Sequence, residues 1–427
     1  MYFNIIQVIL RKQINEGEEL IMKDLSKPVY PGALVYGEEE TQSVAEVIEN
    51  QSPFRYYGPN LQGKASAFEK EATELFGVKH ALAVSSGTAA LMVSLRALGV
   101  GPGDEVIIPS VTFIACAGSV VSCNAVPIFC DVDESLNMDP EALERCITPR
   151  TKVIMVVHLQ GSSADMTRIM AIAKRYKLKV IEDSAQSFGA KYKGKYVGTM
   201  GDIGTFSLQI NKTITAGEGG LVITNDENLY KRAIMAHDQG NIRDASGHVV
   251  VDPTCPGFYG ENYRMSDLTG AVALMQIRKI TDIVNKMRIN ARKIIDGLNE
   301  IPNLYWRKDY DEEGSSYVSL AIYLPTAEDA IQAQKECKER KVSGARLYQG
   351  LPTYAYPFVL NKLTVHPSGC PFTCPHYKGK PEYHMGMCPT AEDLIGRALF
   401  IQVSPLLTDE DIDYMVTNLK AILRKFV

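Results

Sequence analysis

The chain has 427 residues and a formal net charge of −5, and 45% of its residues are apolar while 22% are charged. This length exceeds what one simple core usually holds, so we expect a large domain with a smaller one attached. The negative charge and the absence of a long Lys/Arg run argue against a nucleic-acid partner and favour small-molecule chemistry.

The N-terminal stretch MYFNIIQVILRKQ contains an apolar run that is too short to span a membrane. Its charges follow the run and no small-residue cleavage site comes after it, so we expect neither an export signal nor a membrane partner. Met22 is a second plausible start. We interpret residues 1–27 as an N-terminal extension, with a short amphipathic helix as the alternative, and expect residues before about Asp24 to contribute little to activity.

A loop rich in hydrogen-bonding groups follows a predicted helix from Glu38 to Asn50. Its Gly-Pro pair at positions 58 and 59 marks a turn, and Arg55, Tyr56 and Tyr57 could hold a polar, hydroxylated substrate. The arginine is a cation that would suit an acceptor with a carboxylate or phosphate. A tyrosine-rich surface loop is the alternative interpretation.

From His80 onward, nearly continuous apolar runs alternate with amphipathic helical patterns. This alternation predicts a mostly parallel sheet that is buried on both faces by helices. Ligands in such sheets bind at the carboxyl ends of the strands. The candidates that come just after predicted strands are Ser85 to Thr88, Phe113, Asp183 and Lys212.

The segment SSGTAAL opens one of these helices. Gly87 permits close backbone approach, and Thr88 places a hydroxyl beside the free amides of the first helical turn. Such a turn is a good seat for a phosphate. A plain capped strand-to-helix turn is the alternative.

Two further segments carry a carboxylate and an amine. VIEDSAQSFGA is an apolar strand that ends at Asp183, and Lys212 lies in a short polar segment between two strand-like runs. A lysine considered alone is usually a solvated surface charge. The three segments together predict a pyridoxal phosphate site, in which the amine bonds the cofactor aldehyde, the carboxylate keeps the pyridine nitrogen protonated and the helix amides hold the phosphate.

These residues resemble the DegT/DnrJ/EryC1/StrS family of sugar aminotransferases, which are fold type I pyridoxal phosphate enzymes. The resemblance covers roughly Tyr30 to Val427 and is carried by the segments SSGTAAL, GDEVIIPSVTFIA, EDSAQSFGA, GTFSLQINKTITAGEGG and GENYRMSDLTGA. The TAGEGG ending is most similar to the branch of scyllo-inosose aminotransferases and aminohydroxybenzoate synthase. Much of the N-terminal half also looks like the octulosonate 8-aminotransferases, and both branches remain as alternatives.

The resemblance implies catalytic roles for Lys212 and Asp183 and a pyridoxal 5′-phosphate cofactor. Its implied cofactor contacts are Gly87, Thr88, Phe113 stacked on the ring, Asp183, Gln186 at the phenolic oxygen, Ser207 at the phosphate, Lys212 and Asn262. It also implies a homodimer with shared active sites, in which Asn262 and Arg264 reach the neighbouring subunit. The substrate-binding candidates are Arg55, Tyr56, Tyr57 and Arg264.

The implied reaction moves an amino group from glutamate or glutamine to a sugar carbonyl, keto or aldehyde, acidic sugars included. A cyclitol acceptor and a non-catalytic or regulatory member of the same fold are the alternatives. We place the large cofactor-binding α/β domain at residues 28–280. A smaller α+β domain follows at residues 281–427, where strand-like runs alternate with helical ones.

The loop at residues 366–388 brings three cysteines, Cys370, Cys374 and Cys388, close to three histidines. A zinc site is one hypothesis, but the spacing lacks the paired C-x₂-C units of structural zinc modules. We therefore expect a Pro/Gly-rich loop bordering the active site and no metal. The nine irregularly spaced cysteines of the chain indicate reduced thiols of a cytoplasmic protein rather than a disulfide framework.

Overall fold

The computed structural model describes residues 23–244, 246–251, 253 and 257–426. The interpretation of residues 1–22 as part of an N-terminal extension therefore lies outside the described residues. At the start of the described chain, Lys23 Nζ donates to Asp411 Oδ2 at 2.6 Å on the surface. No helix in the described ranges is both long enough and apolar enough to cross a membrane.

The strands, in chain order, are β1 His80–Val84, β2 Glu105–Pro109, β3 Val126–Cys130, β4 Thr151–Val157, β5 Lys179–Asp183, β6 Lys191–Tyr192, β7 Lys195–Tyr196, β8 Ile203–Ser207, β9 Gly220–Thr224, β10 Ile242–Arg243, β11 Val249–Val250, β12 Tyr305–Trp306, β13 Ser319–Tyr323 and β14 Ala398–Gln402. The α-helices are α1 Glu38–Glu49, α2 Lys64–Phe76, α3 Gly87–Ala97, α4 Ala115–Ser122, α5 Pro140–Cys146, α6 Met166–Tyr176, α7 Glu227–His237, α8 Asp267–Leu298, α9 Ala327–Glu339, α10 Pro357–Leu360, α11 Pro389–Arg397 and α12 Asp409–Leu423.

Seven strands form the central sheet in the order β1-β9-β8-β5-β4-β2-β3. The pairs from β8 through β5, β4 and β2 to β3 are all parallel. Only β9, among the strands of this sheet, runs against its neighbours β1 and β8. The predicted α/β class with a mostly parallel sheet is therefore confirmed.

Both faces of this sheet are buried, as the apolar strands predicted. In β9, Leu221 and Ile223 pack in one apolar cluster with α2 and α8, while Val222 packs in another with α3, α4 and α7. Successive strand side chains point to opposite faces, so this alternation shows helices on both sides. The sheet can then present ligand groups only at its strand ends.

The long helix α8 links the central sheet to a three-stranded antiparallel sheet of order β12-β13-β14. Ser266 caps α8 by accepting a hydrogen bond from Thr269 N at 3.2 Å. One apolar cluster joins α8 to Leu320 of β13 and Ile412 of α12. The proposed division between residues 280 and 281 falls inside this continuous helix, and it stays a prediction.

The loop at residues 366–388 lies along β3, the edge strand of the central sheet. Tyr377 Oη donates to Glu105 Oε1 at 2.8 Å, and Tyr383 Oη donates to Pro127 O at 2.6 Å. Cys374 and Tyr377 pack on Val126. Covering an edge strand in this way protects it from pairing with another chain. Within the described ranges, no three His, Cys, Asp or Glu side chains lie close enough together to hold a metal ion.

Candidate active site

A cavity of about 620 Å³ opens at the carboxyl ends of the central strands. Seven of the eight residues predicted to bind the cofactor line it: Gly87, Thr88, Phe113, Asp183, Gln186, Ser207 and Lys212. They come from four separate segments of the chain. The topology of the sheet brings these segments together because parallel strands end at one edge.

Lys212 lies in the turn between β8 and β9, where its backbone N–H donates to Gln209 O at 2.9 Å. Burial lowers the pKa of its amine, and the nearby Asp183, Cys116 and Glu218 partly oppose this shift. The charged form of a buried amine loses its hydration, so burial shifts the protonation equilibrium toward the neutral form. A neutral amine is a nucleophile and a base, whereas a solvated surface lysine is neither at neutral pH.

Asp183 ends β5 with its carboxylate inside the cavity wall. Oδ1 accepts from Ala185 N at 3.0 Å, and Oδ2 accepts from the Cys116 thiol at 3.2 Å. Burial raises the pKa of this carboxyl, while these two hydrogen bonds and the charge of Lys212 act to lower it. A cation close to the carboxylate would favour its ionised form further.

The first turn of α3 lines the cavity. Ser86 caps the helix by accepting from Ala89 N at 3.0 Å, and the remaining first-turn amides have no partner inside the helix. A Cβ at Gly87 would come within 2.7 Å of Ser207 Cβ, so only glycine lets the end of β8 approach this turn so closely. Helix amides with two nearby hydroxyls, those of Thr88 and Ser207, suit a phosphate.

The donor set fits pyridoxal phosphate in three respects. The lining includes the first turn of α3 with the hydroxyls of Thr88 and Ser207. It also includes the carboxylate of Asp183 and the amine of Lys212. Phe113 is 55% exposed although phenylalanine is usually buried. Its ring therefore offers the cavity a flat apolar face of the kind that stacks on an aromatic cofactor.

Asn262 and Arg264 lie outside this cavity within the chain. Asn262 forms an isolated bridge with Asp238, and its Oδ1 accepts from Arg264 N at 3.2 Å. The Arg264 guanidinium pairs with Asp238 and also donates to Gln239 Oε1 at 3.1 Å. Their expected contacts with a neighbouring subunit stay predictions.

The structure corrects the expectation for Arg55. Its side chain is 3% exposed, and it donates to Glu69 Oε1 at 2.6 Å and to Ala83 O at 2.9 Å. A guanidinium with these buried partners is not a free cation for a substrate, so the argument for an acidic acceptor loses its basis. Tyr56 Oη is hydrogen-bonded to His237 Nε2 at 3.1 Å, whereas Tyr57 is 59% exposed; neither lines the cavity.

Among the lining residues that were not predicted as site residues, Cys116, Gln160 and Tyr348 form hydrogen bonds with predicted ones. The Cys116 thiol donates to Asp183 and is in turn 3.0 Å from Thr112 Oγ1. Gln186 is bonded to Gln160 on one side and to Tyr348 on the other. Cys116 could have been noticed because it follows Phe113 by one helical turn, but Tyr348 lies in a polar stretch without a pattern.

Residues 35–374 match the DegT/DnrJ/EryC1/StrS aminotransferase family. The chain is 37% identical to the GDP-perosamine synthase of Escherichia coli O157:H7, over 82% of this chain and 88% of the relative. It is 36% identical to the L-glutamine:2-deoxy-scyllo-inosose aminotransferase of Micromonospora echinospora, over 86% and 87%. An aminotransferase structure from Psychrobacter cryohalolentis superposes with a TM-score of 0.77 at 30% identity, covering 92% of this chain and 98% of that one.

Proposed function

Because the chain belongs to the DegT/DnrJ/EryC1/StrS aminotransferase family, we propose that it transfers an amino group from glutamate or glutamine to the carbonyl of a sugar. It is a pyridoxal 5′-phosphate enzyme, and when bound the cofactor withdraws electrons from the reacting carbon. The observation that carries the proposal is the meeting of Lys212, Asp183 and the first turn of α3 in one cavity. A half-reaction with glutamate tests it.

The amine of Lys212 is proposed to move the proton. Its burial favours the neutral form, so Nζ could take a proton from the substrate carbon and deliver it to a carbon of the bound cofactor after the electrons have shifted. Asp183 faces the same space and attracts the protonated amine, which limits how far the pKa of Lys212 falls. Lys212 can therefore act as base and then as acid without leaving the cavity.

The other groups of the cavity are proposed to hold and orient the cofactor. The carboxylate of Asp183, kept in place by Ala185 and Cys116, would balance a positive ring nitrogen. The amides at the start of α3, with Thr88 and Ser207, would hold the phosphate. Phe113 would cover one face of the ring. These contacts set the plane in which the reacting bond lies, which is the source of orientation effects in catalysis.

The remaining residues that line the cavity indicate the class of compound that accepts the amino group. Among the described residues that line the cavity, the charged ones are Asp183, Lys212 and Glu218, and the cavity is otherwise rich in amides and hydroxyls such as those of Gln209, Asn211, Thr213 and Gln402. Groups of this kind pair with hydroxyls. The lining therefore supports a polyhydroxylated carbonyl compound as the acceptor. The names of the two relatives, one a sugar enzyme and one a cyclitol enzyme, support a sugar first and a cyclitol second.

We expect the aminated enzyme to react with polyhydroxylated ketones or aldehydes and not with aromatic keto acids. The enzyme is first converted to its aminated form with glutamate or with glutamine, and the donor is then removed. Oxidised sugars, an inosose and phenylpyruvate are offered to it separately. Return of the original absorption spectrum reports the reaction. Fast return with phenylpyruvate and none with any sugar or cyclitol carbonyl would contradict the proposed substrate class.

The assembly is proposed to be a homodimer with shared sites. Asn262 and Arg264 lie outside the cavity of their own chain, which supports contacts with a neighbouring site. A Lys212→Ala chain mixed with an Asn262→Ala chain should regain about a quarter of wild-type activity if half the dimers are mixed and each holds one intact site. The measurement is activity after remixing. If no mixture exceeds either parent, each chain must complete its own site.

The eight described cysteines are free, which supports a reducing compartment such as the cytoplasm. A regulatory protein on this fold would need no lysine in the cavity, and Lys212 is present with a lowered pKa. Catalysis is therefore favoured over a binding role.

A further inference from the structure

Two residues of the cavity wall adopt a backbone conformation that side chains other than glycine rarely occupy. Gln160 has φ 52° and ψ 39° within the short turn Leu159–Gly161. Tyr348 has φ 50° and ψ 33° within the turn Leu347–Gly350. Left-handed conformations of such residues are costly, and they persist where the surroundings hold them.

Both turns direct their side chains to the same partner, Gln186. Gln160 Nε2 donates to Gln186 Oε1 at 2.9 Å, and Gln186 Nε2 donates to Tyr348 Oη at 2.9 Å. At the outer end, Ser319 Oγ donates to Gln160 Oε1 at 3.1 Å. The result is one continuous row of hydrogen bonds along the wall, with the carboxamide of Gln186 at its centre.

The backbone around Gln160 is held by several elements. Gly161 N donates to Ser187 Oγ at 3.0 Å, and Gly161 O accepts from Ser316 N at 2.9 Å. A Cβ at Gly161 would come within 2.7 Å of the backbone nitrogens of residues 317 and 318. The turn therefore cannot relax without moving the segment before β13.

The second turn is held in a similar way. The N–H of Leu351 donates to Tyr348 O at 3.1 Å. The space beside Gly350 is filled by the Arg346 guanidinium, which donates from Nη2 to Gly396 O at 3.1 Å. Burial raises the pKa of the Tyr348 phenol above its usual range, so the group stays a neutral hydroxyl.

We propose that Gln160 and Tyr348 are positioning residues that fix the orientation of the Gln186 carboxamide. Gln160 occupies the amide oxygen and Tyr348 takes one of the two amide hydrogens, which leaves the second hydrogen of Nε2 free to donate into the cavity. This inference rests on the proposed function, since the expected acceptor is the phenolic oxygen of the cofactor. A donor held at that oxygen favours its ionised form.

The test uses the full-length enzyme loaded with pyridoxal phosphate. Gln160→Met and Tyr348→Phe each remove one contact while keeping the size of the side chain. Each variant is made both in the wild-type background and in a Gln186→Met background. Two quantities are measured: the dissociation constant of the cofactor and the pH midpoint of its visible absorption change. Thermal unfolding checks that every variant is folded.

In the wild-type background, each substitution should weaken cofactor binding by about two- to tenfold, the usual effect of one hydrogen bond. The pH midpoint of the absorption change should rise, because a lost donor no longer favours the ionised oxygen. In the Gln186→Met background, the same two substitutions should change neither quantity. Equal effects in both backgrounds, or no effect in the wild-type background, would overturn the proposal.

Measurements on the wild-type enzyme distinguish a failure of the positioning role from a failure of the proposed function. If it binds no pyridoxal phosphate, the function and the positioning role both fall. If it binds the cofactor and transaminates, but the effects of Gln160→Met and Tyr348→Phe do not depend on Gln186, only the positioning role falls. Gln209→Met is the matched control, because Gln209 also lines the cavity but its Oε1 accepts from its near neighbour Asn211. In contrast to the two positioning variants, its effects should be the same in both backgrounds.

Discussion

Lys212→Ala should nearly abolish transamination, with the half-reaction with glutamate slowed by about 10²- to 10⁴-fold, because the group proposed to move the proton is gone. The variant should also lose the visible absorption band that depends on a bond between Nζ and the cofactor. The rate is followed by single-turnover absorption changes, and the band is recorded after dialysis. A band that survives dialysis unchanged would mean that another residue bonds the cofactor.

Lys212→Arg distinguishes the base from the charge at this position. Arginine keeps a cation beside Asp183 but stays protonated at any working pH. The lowered pKa of Lys212 reflects its burial, and it allows the amine to be neutral at a lower pH than a free lysine. We therefore expect the arginine variant to be as inactive as the alanine variant. Lys179→Ala, which removes a surface lysine paired with Asp202 at 2.7 Å, is the control and should keep its activity.

Asp183→Ala should keep the cofactor only weakly and should lower turnover by about 10²- to 10³-fold, since the charge that would balance the ring nitrogen is removed. Asp183→Asn keeps the shape of the side chain and should lose a similar factor, because a neutral amide cannot hold the ring proton. Turnover and cofactor affinity are measured together. A near-normal rate in either variant would rule out the proposed role.

A surface carboxylate serves as the control for Asp183. Asp226 caps α7 by accepting from Asn228 N at 2.8 Å and lies away from the cavity. Asn is also a good N-cap, so Asp226→Asn should leave turnover and cofactor affinity unchanged. Comparison of the two aspartates separates a loss of local charge from a general loss of stability.

The fold and much of the candidate site could be predicted from sequence because they depend on local patterns and one topological rule. Apolar runs alternating with amphipathic helices predict a sheet covered on both faces, and the sheet has this form. Groups that follow parallel strands must then meet at one edge. This rule alone places Asp183 and Lys212 in the same cavity, although 29 positions separate them in the chain.

The direction in which a loop side chain points could not be predicted in the same way. Arg55 lies in a polar loop next to two tyrosines, and nothing in that stretch shows that Glu69 of α2 and the carbonyl of Ala83 in β1 enclose its guanidinium. Both partners belong to other elements. The stabilisation of a buried ion pair depends on how those elements pack, so composition alone favoured exposure where packing produced burial.

The sequence by itself therefore determined the α/β class, the family and the segments that supply the amine, the carboxylate and the helix start. Only the tertiary structure decided that Gln160 and Tyr348 meet at Gln186, since 162 positions separate Gln186 from Tyr348 and both turns are left-handed at residues other than glycine. Periodic burial depends on residues that are close together in the chain, so it can be recognised from a short stretch of sequence. A strained turn persists only because distant elements hold it, so its position becomes visible once those elements have packed.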